Sequence, residues 1–286
     1  MRTVGAASGF GIGRTWSSLR DVLAHREMLD LLIRRDLKSR YKDSTLGFFW
    51  SLARPLLQLA IYFVVVGQFL QAARGIPDFA VYIFAGLTAI GLFTEITVGA
   101  TGSILGNSGL VKKVYVPREV FPLASVGSAL FNFGIQLIVL LAATVVVLKP
   151  PLHLQLLYFF PSLALIVVFG TALGLLFSAL NVYLRDVQYL VELGTMLLFW
   201  ASPVVYSWQM VSTSIHSPIL LGIYTANPLT LAVIGFQHAF WVAGDGAAQP
   251  DHLLLRMAIA LLVGLVLLFV SHRVFLRLQG NFAQEM

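Results

Sequence analysis

One uncharged stretch decides the fold: residues 121–148 read FPLASVGSALFNFGIQLIVLLAATVVVL and contain no Asp, Glu, Lys or Arg. The hydrocarbon core of a bilayer is about 30 Å thick, and a helix needs about 20 apolar residues to cross it, so this stretch is long enough to span a membrane. Other apolar blocks of the chain also run unbroken for about 18 residues or more, whereas a transmembrane barrel is built from shorter, alternating segments. The sequence therefore predicts an all-α integral membrane protein.

The composition of the whole chain agrees with this prediction. Of its 286 residues, 58% are hydrophobic and 11% are charged, which is about half the charged fraction of a soluble domain. The net charge is +6, and most basic residues stand beside apolar segments, where they set membrane orientation and contact anionic headgroups. We therefore expect membrane lipids, and no nucleic acid, among the partners. The absence of cysteine from the sequence excludes disulfides, thiolate nucleophiles and Cys-ligated metals.

Six long apolar blocks predict six transmembrane helices. They cover about residues 51–73, 79–103, 121–148, 155–180, 191–208 and 253–271. A further apolar stretch, 215–243, is broken by Pro218, Gly222 and the pair Asn227-Pro228, and it predicts two half-length helices. Such broken backbone is tolerated at membrane depth only where protein or a water-filled cavity satisfies its polar groups.

The distribution of basic residues predicts the orientation. With six spans, the inner side holds nine basic residues of the amino-terminal segment together with Lys112, Lys113, Arg118, Arg185, Arg273 and Arg277, and the outer side holds Arg74, Lys149 and Arg256. Counting 215–243 as a seventh span would move Arg273 and Arg277 outside, against the excess of Lys and Arg in cytoplasmic loops. We therefore expect 215–243 to form re-entrant half-helices between the fifth and sixth spans, with both termini in the cytoplasm.

The segment before the first block predicts an amphipathic helix. At 100° per residue, one arc of about 120° collects Leu19, Val22, Leu23, Leu29, Ile33, Leu37 and Tyr41, and most basic side chains lie outside it, although Arg26 falls within it and indicates a break. Such a helix lies in the membrane interface or packs on other cytoplasmic protein. The expected organisation is a flexible tail at 1–15, an amphipathic interface helix at 16–46 and a six-helix membrane domain at 47–286.

Residue types that carry enzyme chemistry are not grouped along the sequence. The six histidines are scattered and form no HExxH motif, and no GxxxxGK[ST] phosphate-binding loop occurs in the chain. We therefore expect no catalytic residue, no metal site and no cofactor in this chain.

Arg54 and Glu95 are the two candidates that we single out among ionisable residues of the predicted spans, where a charge is costly and is a functional candidate by default. Arg54 stands at the start of the first span, where its side chain either reaches back to the interface or serves a function. Glu95 lies deeper. We expect its carboxylate to face the protein interior or a cavity, either in a structural pair or in contact with a substrate.

Two loops and a few aromatic residues are the remaining candidates. Loops 107–119 and 181–188 are either ordinary basic inner loops or docking surfaces for a cytoplasmic partner. Most aromatic residues at span ends fit interfacial belts. A minority also suits the lining of a sugar conduit, because aromatic rings offer flat apolar faces and, in Tyr and Trp, hydrogen-bonding tips. These conduit candidates are Tyr62, Phe199, Trp200 and Tyr206.

Five motifs occur in order along the chain. They are Arg34–Trp50 (RRDLKSRYKDSTLGFFW), Lys112–Pro122 (KKVYVPREVFP), Leu184–Val187 (LRDV), Ser202–Tyr206 (SPVVY) and Asn227–Leu229 (NPL). This series resembles the ABC-2 type permeases, specifically the polysaccharide-export branch, whose members export O-antigen, capsule, teichoic acid and cell-wall galactan. The resemblance runs over about residues 25–275, and its first two motifs are the specific ones.

The resemblance implies a homodimeric permease in the bacterial inner membrane that moves a lipid-linked polysaccharide outward. Two copies of a separate ATP-binding subunit would hold the ATP and Mg²⁺. The implied ATPase-coupling loop comprises Lys112, Lys113, Val114, Tyr115, Pro117, Arg118 and Glu119, and the implied lateral gate comprises Thr45, Leu46 and Gly47. Arg35, Arg40 and Arg54 are, by position, the candidates for contact with a lipid diphosphate.

Other functions remain as alternatives. An ABC-2 exporter of drugs or small lipids would need the same ATP-binding partner but fewer aromatic residues along its path. An ion-coupled secondary transporter would need an inverted repeat and deep carboxylates, and the sequence indicates only Glu95. A membrane glycosyltransferase would need carboxylates for metal and acid–base work, but Asp36, Asp43 and Asp186 each stand beside basic residues.

Overall fold

The structure is a computed structural model that describes residues 20–22, 24–41, 49–69, 71, 75–113 and 116–285. Its α-helices are, in chain order, α1 (Arg26–Tyr41), α2 (Phe49–Ile61), α3 (Phe79–Gly106), α4 (Ser108–Lys113), α5 (Val120–Val146), α6 (Phe159–Tyr183), α7 (Val187–Trp200), α8 (Trp208–Ser214), α9 (Pro218–Ala226), α10 (Pro228–Phe240), α11 (Leu253–Leu278) and α12 (Phe282–Glu285). A π-helical stretch, Tyr62–Phe69, continues α2, and 3-10 turns cover Leu154–Tyr158, Val242–Gly244 and Gln279–Asn281. No strand occurs within these ranges, and the predicted tail at 1–15 lies outside them.

Four helices are long and apolar enough to cross a membrane. They are α3, α5, α6 with the 3-10 turn before it, and α11 with the 3-10 turn after it. Their 27 to 30 residues correspond to about 40–45 Å at about 1.5 Å per residue, which exceeds the hydrocarbon thickness of about 30 Å. These helices coincide with four of the six predicted blocks, which are thus confirmed as long apolar helices.

The other two predicted blocks form shorter apolar helices. The first block becomes α2 and its π-helical continuation, with Pro55 inside α2. The predicted bounds of the fifth block, 191–208, are wrong at both ends, because α7 begins at Val187 and ends at Trp200. Residues 201–206 leave the helix in turns and bends that contain Pro203, and a proline disfavours the helical conformation of the residue before it.

The broken stretch predicted at 215–243 forms α9 and α10, which meet at an angle of 79°. Asn227 separates them with an extended backbone (ψ 116°), as expected for the residue before a proline. Its side-chain Oδ1 accepts a hydrogen bond of 3.0 Å from the backbone N–H of Leu229. Pro228 then occupies the first position of α10, where the missing N–H has no helical partner to lose.

Helix α3 forms the centre of the bundle. It is buried over most of its length and packs against α5, α6 and α10. Glycines of α6 allow a close approach: a Cβ on Gly170 would lie 2.8 Å from Cγ2 of Ile96, and a Cβ on Gly174 would lie 2.6 Å from Cβ of Ala100. Small residues at such contacts are typical of helix packing in membranes, where dispersion contacts replace the hydrophobic effect.

The two ends of the bundle are distinguished by their polar residues. We call the basic end the one that carries Lys112, Lys113, Arg118 and Arg185, and the opposite end the one that carries Asp78, Lys149 and Asp245. At the opposite end, Lys149 Nζ lies 2.7 Å from Asp78 Oδ2, and the indole N–H of Trp241 donates to the carbonyl of Pro77 at 2.6 Å. These contacts tie the start of α3 to the ends of α5 and α10.

Helix α1 packs on the basic end of its own chain. A turn at His25 precedes it, one residue before the break that Arg26 indicated. Leu32 is buried, and Ile33 lies against Gly127 of α5. The apolar stripe of α1 thus meets protein of the same chain, and Leu31, on another side of the helix, is exposed.

Candidate functional site

The loop after α3 presents basic side chains on a packed base. Lys112 and Lys113 end α4 and are exposed, whereas Val111 beside them is buried. Lysines at a helix carboxyl end are stabilised by the helix dipole. Pro117 and Arg118 are half-buried, Glu119 is buried, and the predicted members Val114 and Tyr115 lie outside the described residues.

Asn107 shapes the start of this loop. Its Nδ2 donates to the carbonyl of Ser103 at 2.7 Å, and its Oδ1 accepts from the guanidinium of Arg35 at 2.5 Å. Arg35 also lies 2.9 Å from Oδ1 of Asp36. Arg35, predicted to contact a lipid diphosphate, therefore joins α1 to the loop between α3 and α4.

The other predicted residues of the gate and of the diphosphate site are not described. Thr45, Leu46 and Gly47 lie outside the described residues, and so do the side chains of Arg40 and Arg54. Their predicted roles at a lateral gate and at a lipid diphosphate therefore stay predictions.

The second short loop, 184–186, lies at the same end with Leu184, Arg185 and Asp186 exposed. Asn181 holds its base in place. The Nδ2 of Asn181 donates to the carbonyl of Thr101 at 3.2 Å, and its Oδ1 accepts from the backbone N–H of Gln188 at 3.2 Å. One amide thus connects α6, α3 and α7 beneath the loop.

The four predicted conduit residues lie next to one another. The rings of Tyr62 and Phe199 are 6.0 Å apart, and those of Phe199 and Trp200 are 5.1 Å apart. The hydroxyl of Tyr206 donates to the carbonyl of Trp200 at 2.8 Å. Trp200 is 55% exposed, so this aromatic cluster has an open face.

Three aromatic residues that sequence reasoning missed extend the aromatic cluster. Tyr224 donates to the hydroxyl of Tyr206 at 3.3 Å, and its ring lies 6.1 Å from that of Trp208. The single O–H of Tyr82 is shared between the carbonyls of Tyr206 (2.7 Å) and Pro203 (3.1 Å). These residues come from α3, α8 and α9, and only their placement near span ends hinted at a role.

Polar pairs lie within the helical region between the ends. Asn132 Nδ2 donates to Glu95 Oε1 at 2.6 Å, which joins α5 to α3, so Glu95 forms a structural pair, one of the two arrangements that the sequence left open. Gln188 Nε2 donates to Glu192 Oε1 at 2.8 Å on α7. Sequence reasoning missed Glu192 as a deep carboxylate because the predicted block 191–208 placed it next to the block's first residue. Helix α7 begins about one turn earlier, at Val187, so Glu192 lies further along the helix.

Comparisons with known proteins agree with the motifs. The family model of the ABC-2 type transporter matches residues 28–241, and the chain therefore belongs to the ABC-2 type transporter family. This membership confirms the resemblance that the sequence motifs indicated, and it favours ABC-type transport over the ion-coupled and glycosyltransferase alternatives.

Relatives align over most of the chain. The O-antigen export system permease protein RfbA of Myxococcus xanthus is 29% identical over 269 residues, which cover 93% of this chain and 98% of the relative. RfbA of Klebsiella pneumoniae is 28% identical over 259 residues, or 90% of this chain and 94% of the relative. The polysialic acid transport protein KpsM of Escherichia coli is 22% identical over 211 residues, or 72% and 78%.

Proposed function

We propose that this chain is the permease subunit of an ABC exporter that moves a lipid-linked polysaccharide from the cytoplasmic to the outer face of the bacterial inner membrane. The observation that carries the proposal is the similarity to O-antigen export permeases over 90% or more of the chain. The aromatic cluster supports it, because aromatic rings suit the CH faces of sugars and the tyrosine tips suit their hydroxyls.

The proposed topology has six spans, with α2 and α7 crossing the membrane together with the four long helices. The basic end faces the cytoplasm because Lys112, Lys113 and Arg185 lie there. Helices α9 and α10 enter from the outer side and return. The 79° bend between them supports this arrangement, since a single span would continue straight.

The energy comes from a separate subunit, because the sequence contains no phosphate-binding loop. We propose that two ATP-binding subunits, holding ATP and Mg²⁺, dock on the basic end at loops 107–119 and 184–186. The exposed cations of these loops suit an acidic or polar cleft. Movement of the loops would reach α1 through the contact between Arg35 and Asn107.

A homodimer accounts for the exposed face of α7. Its residues Leu193, Met196, Leu197 and Trp200 are exposed together with Glu192. A carboxylate that faced lipid would be costly, so such residues normally face a protein or a wet cavity. We propose that this face and the aromatic cluster line a glycan conduit between two copies, with a lateral gate at Thr45, Leu46 and Gly47 and a diphosphate contact at Arg35, Arg40 and Arg54.

Charge reversal at the basic end tests the proposal. The chain is co-expressed with the ATP-binding subunit, purified, and reconstituted with lipid-linked glycan, and export and ATP hydrolysis are measured together. We expect the double variant Lys112→Glu/Arg118→Glu to lower export per ATP by about 5- to 150-fold, the span of typical coupling free energies.

Lys149→Glu is the control for a charge reversal away from the loops, because it reverses one exposed cation at the opposite end. It should export like the unaltered protein, since exposed ion pairs contribute little. Unchanged export per ATP in the double variant, or turnover of a sugar donor by the purified chain alone, would contradict the proposal.

A further inference from the structure

The turn that follows α11, residues 279–285, packs against the basic end, and we call it the 279–285 turn. It consists of a 3-10 turn and the four-residue helix α12. A helix this short has no stability of its own in water. Its position is therefore set by tertiary contacts, and Phe282, with no exposed surface, supplies the apolar ones.

The ring of Phe282 lies among groups from three parts of the chain. It is 5.6 Å from the ring of Phe275 in α11 and 6.2 Å from the ring of Tyr183. The guanidinium carbon of Arg118 lies 5.6 Å from its centroid, within the range of a cation–π contact. Tyr183 also donates its hydroxyl to the carbonyl of Leu278 at 2.8 Å, which fixes the end of α11.

These contacts join the two loops of the basic end. Arg118 belongs to loop 107–119, and Tyr183 is the last residue of α6, immediately before the loop at 184–186. A second contact runs beside them, since His272 of α11 lies 4.0 Å from the buried carboxylate of Glu119. The 279–285 turn thus connects Arg118 and Tyr183, which are 65 residues apart in sequence.

We propose that the 279–285 turn is a coupling element, in which Phe282 is a positioning residue that holds the two loops as one rigid surface. This inference rests on the proposed function, because it supposes that an ATP-binding subunit pushes on these loops. A push on either loop would then move α5, α6 and α11 together. Without the ring, each loop would yield separately and less of the movement would reach the conduit.

The test uses the reconstituted complex of permease and ATP-binding subunit, in which membrane insertion, copurification, ATP hydrolysis and export are measured. Phe282→Ala should insert and copurify, keep hydrolysing ATP, and lower export per ATP by about 2- to 30-fold, the range reported for residues that carry coupling between sites. Phe282→Leu keeps most of the apolar volume but removes the ring, so it should restore part of the coupling. Gln284→Ala, on an exposed residue of the same turn, is the matched control and should change nothing.

A double-mutant cycle separates positioning from folding. If Phe282 acts through Arg118, then Arg118→Gln added to Phe282→Ala should lower export per ATP less than it does alone. If Phe282→Ala does not insert into the membrane, the same cycle is measured with Phe282→Leu and tests whether Phe282 acts through Arg118. Additive effects, or unchanged export per ATP in both Phe282 variants, would overturn the inference.

This failure is distinguishable from failure of the proposed function. If Lys112→Glu/Arg118→Glu uncouples export while the Phe282 variants do not, only the coupling element is wrong. If the chain neither binds an ATP-binding subunit nor responds to the charge reversal, both proposals fall.

Discussion

The basic end and the aromatic cluster differ in what their side chains offer. At the basic end, Lys112, Lys113 and Arg185 project from a base of buried apolar residues such as Phe121 and Phe282. The aromatic cluster offers the rings and hydroxyls of partly exposed side chains, and hydrogen bonds join Tyr206 to Tyr224 and to the buried Tyr82.

This difference matches two kinds of partner. Fixed charges on a rigid base give a specific, salt-sensitive contact with another protein. Uncharged rings and hydroxyls hold a sugar at each position by weak contacts, which a polymer exchanges as it moves. We infer that the basic end receives force and that the aromatic cluster guides the substrate, so variants at the two places should fail in different ways.

A variant that overfills the shared core should disable the basic end and the aromatic cluster together. Gly174→Leu would drive α6 away from α3, since even a Cβ would lie 2.6 Å from Cβ of Ala100. Overpacking typically costs about 1–3 kcal/mol and occasionally more, and a whole Leu side chain exceeds the single Cβ that already clashes here. We expect almost no folded protein in the membrane, measured as detergent-soluble monodisperse permease.

Gly134→Leu is the control for this variant, because it adds the same side chain to another membrane helix, at a glycine with no atom within 4 Å of its Cβ position. It should accumulate normally. Equal accumulation of both variants would mean that α3 and α6 do not pack as closely as the structure indicates.

A variant of the aromatic cluster should affect export without affecting the basic end. Trp200→Ala should leave membrane insertion and binding of the ATP-binding subunit intact, because Trp200 is 55% exposed and supports little of the fold. An aromatic contact contributes about 0.5–1.5 kcal/mol beyond its buried area, so we expect export to fall by about 2- to 12-fold. Export is measured as glycan at the outer face in a strain depleted of the unaltered permease.

Leu262→Ala provides the control, since Leu262 is an exposed apolar residue of α11, a helix that the proposed conduit does not include. Its export should stay unchanged. A Trp200→Ala variant that also exports normally would remove Trp200 from the conduit, while a loss of ATPase binding would mean that the two regions are not separate.

Much of the fold is predictable because membranes impose one simple rule. Backbone polar groups must be satisfied within the segment, so a long apolar block such as 121–148 has to be helical. The rule does not fix where a short helix ends. At α7 the helix stops at Trp200 and starts at Val187, because the turns around Pro203 and the contacts of Asn181 decide its bounds, and these depend on tertiary structure.

The candidate site also has a part that the sequence predicts and a part that depends on tertiary structure. Residues of the aromatic cluster close in sequence, such as Phe199 and Trp200, were identifiable as candidates, and the structure brings them next to Tyr62. The contribution of Tyr82 depends on α3 passing beside the turn at Pro203, which no periodicity reveals. The sequence does not predict a role for Phe282 either, because that role depends on contacts with Arg118 and Tyr183, which lie in distant segments.

The smallest expected effect concerns the bend between α9 and α10, which holds Tyr224 beside Tyr206. Asn227→Ala removes the side-chain oxygen that accepts from the N–H of Leu229. Loss of such a cap costs about 1 kcal/mol, or about fivefold in the population of the bent form. We expect a partial loss of export, smaller than that of Trp200→Ala, whereas Asn227→Ser keeps a capping oxygen and should export normally.

Proline and the cap both favour this bend, and the variants separate them. Pro228 restricts the residue before it to extended backbone whether or not that residue can cap. If Asn227→Ala exports fully and Pro228→Ala does not, then backbone restriction alone sets the bend and the cap adds nothing. If both single variants retain export and only the double variant loses it, then the cap or the proline alone is sufficient to keep the bend. The bend between α9 and α10 is then stabilised by more than a single hydrogen bond.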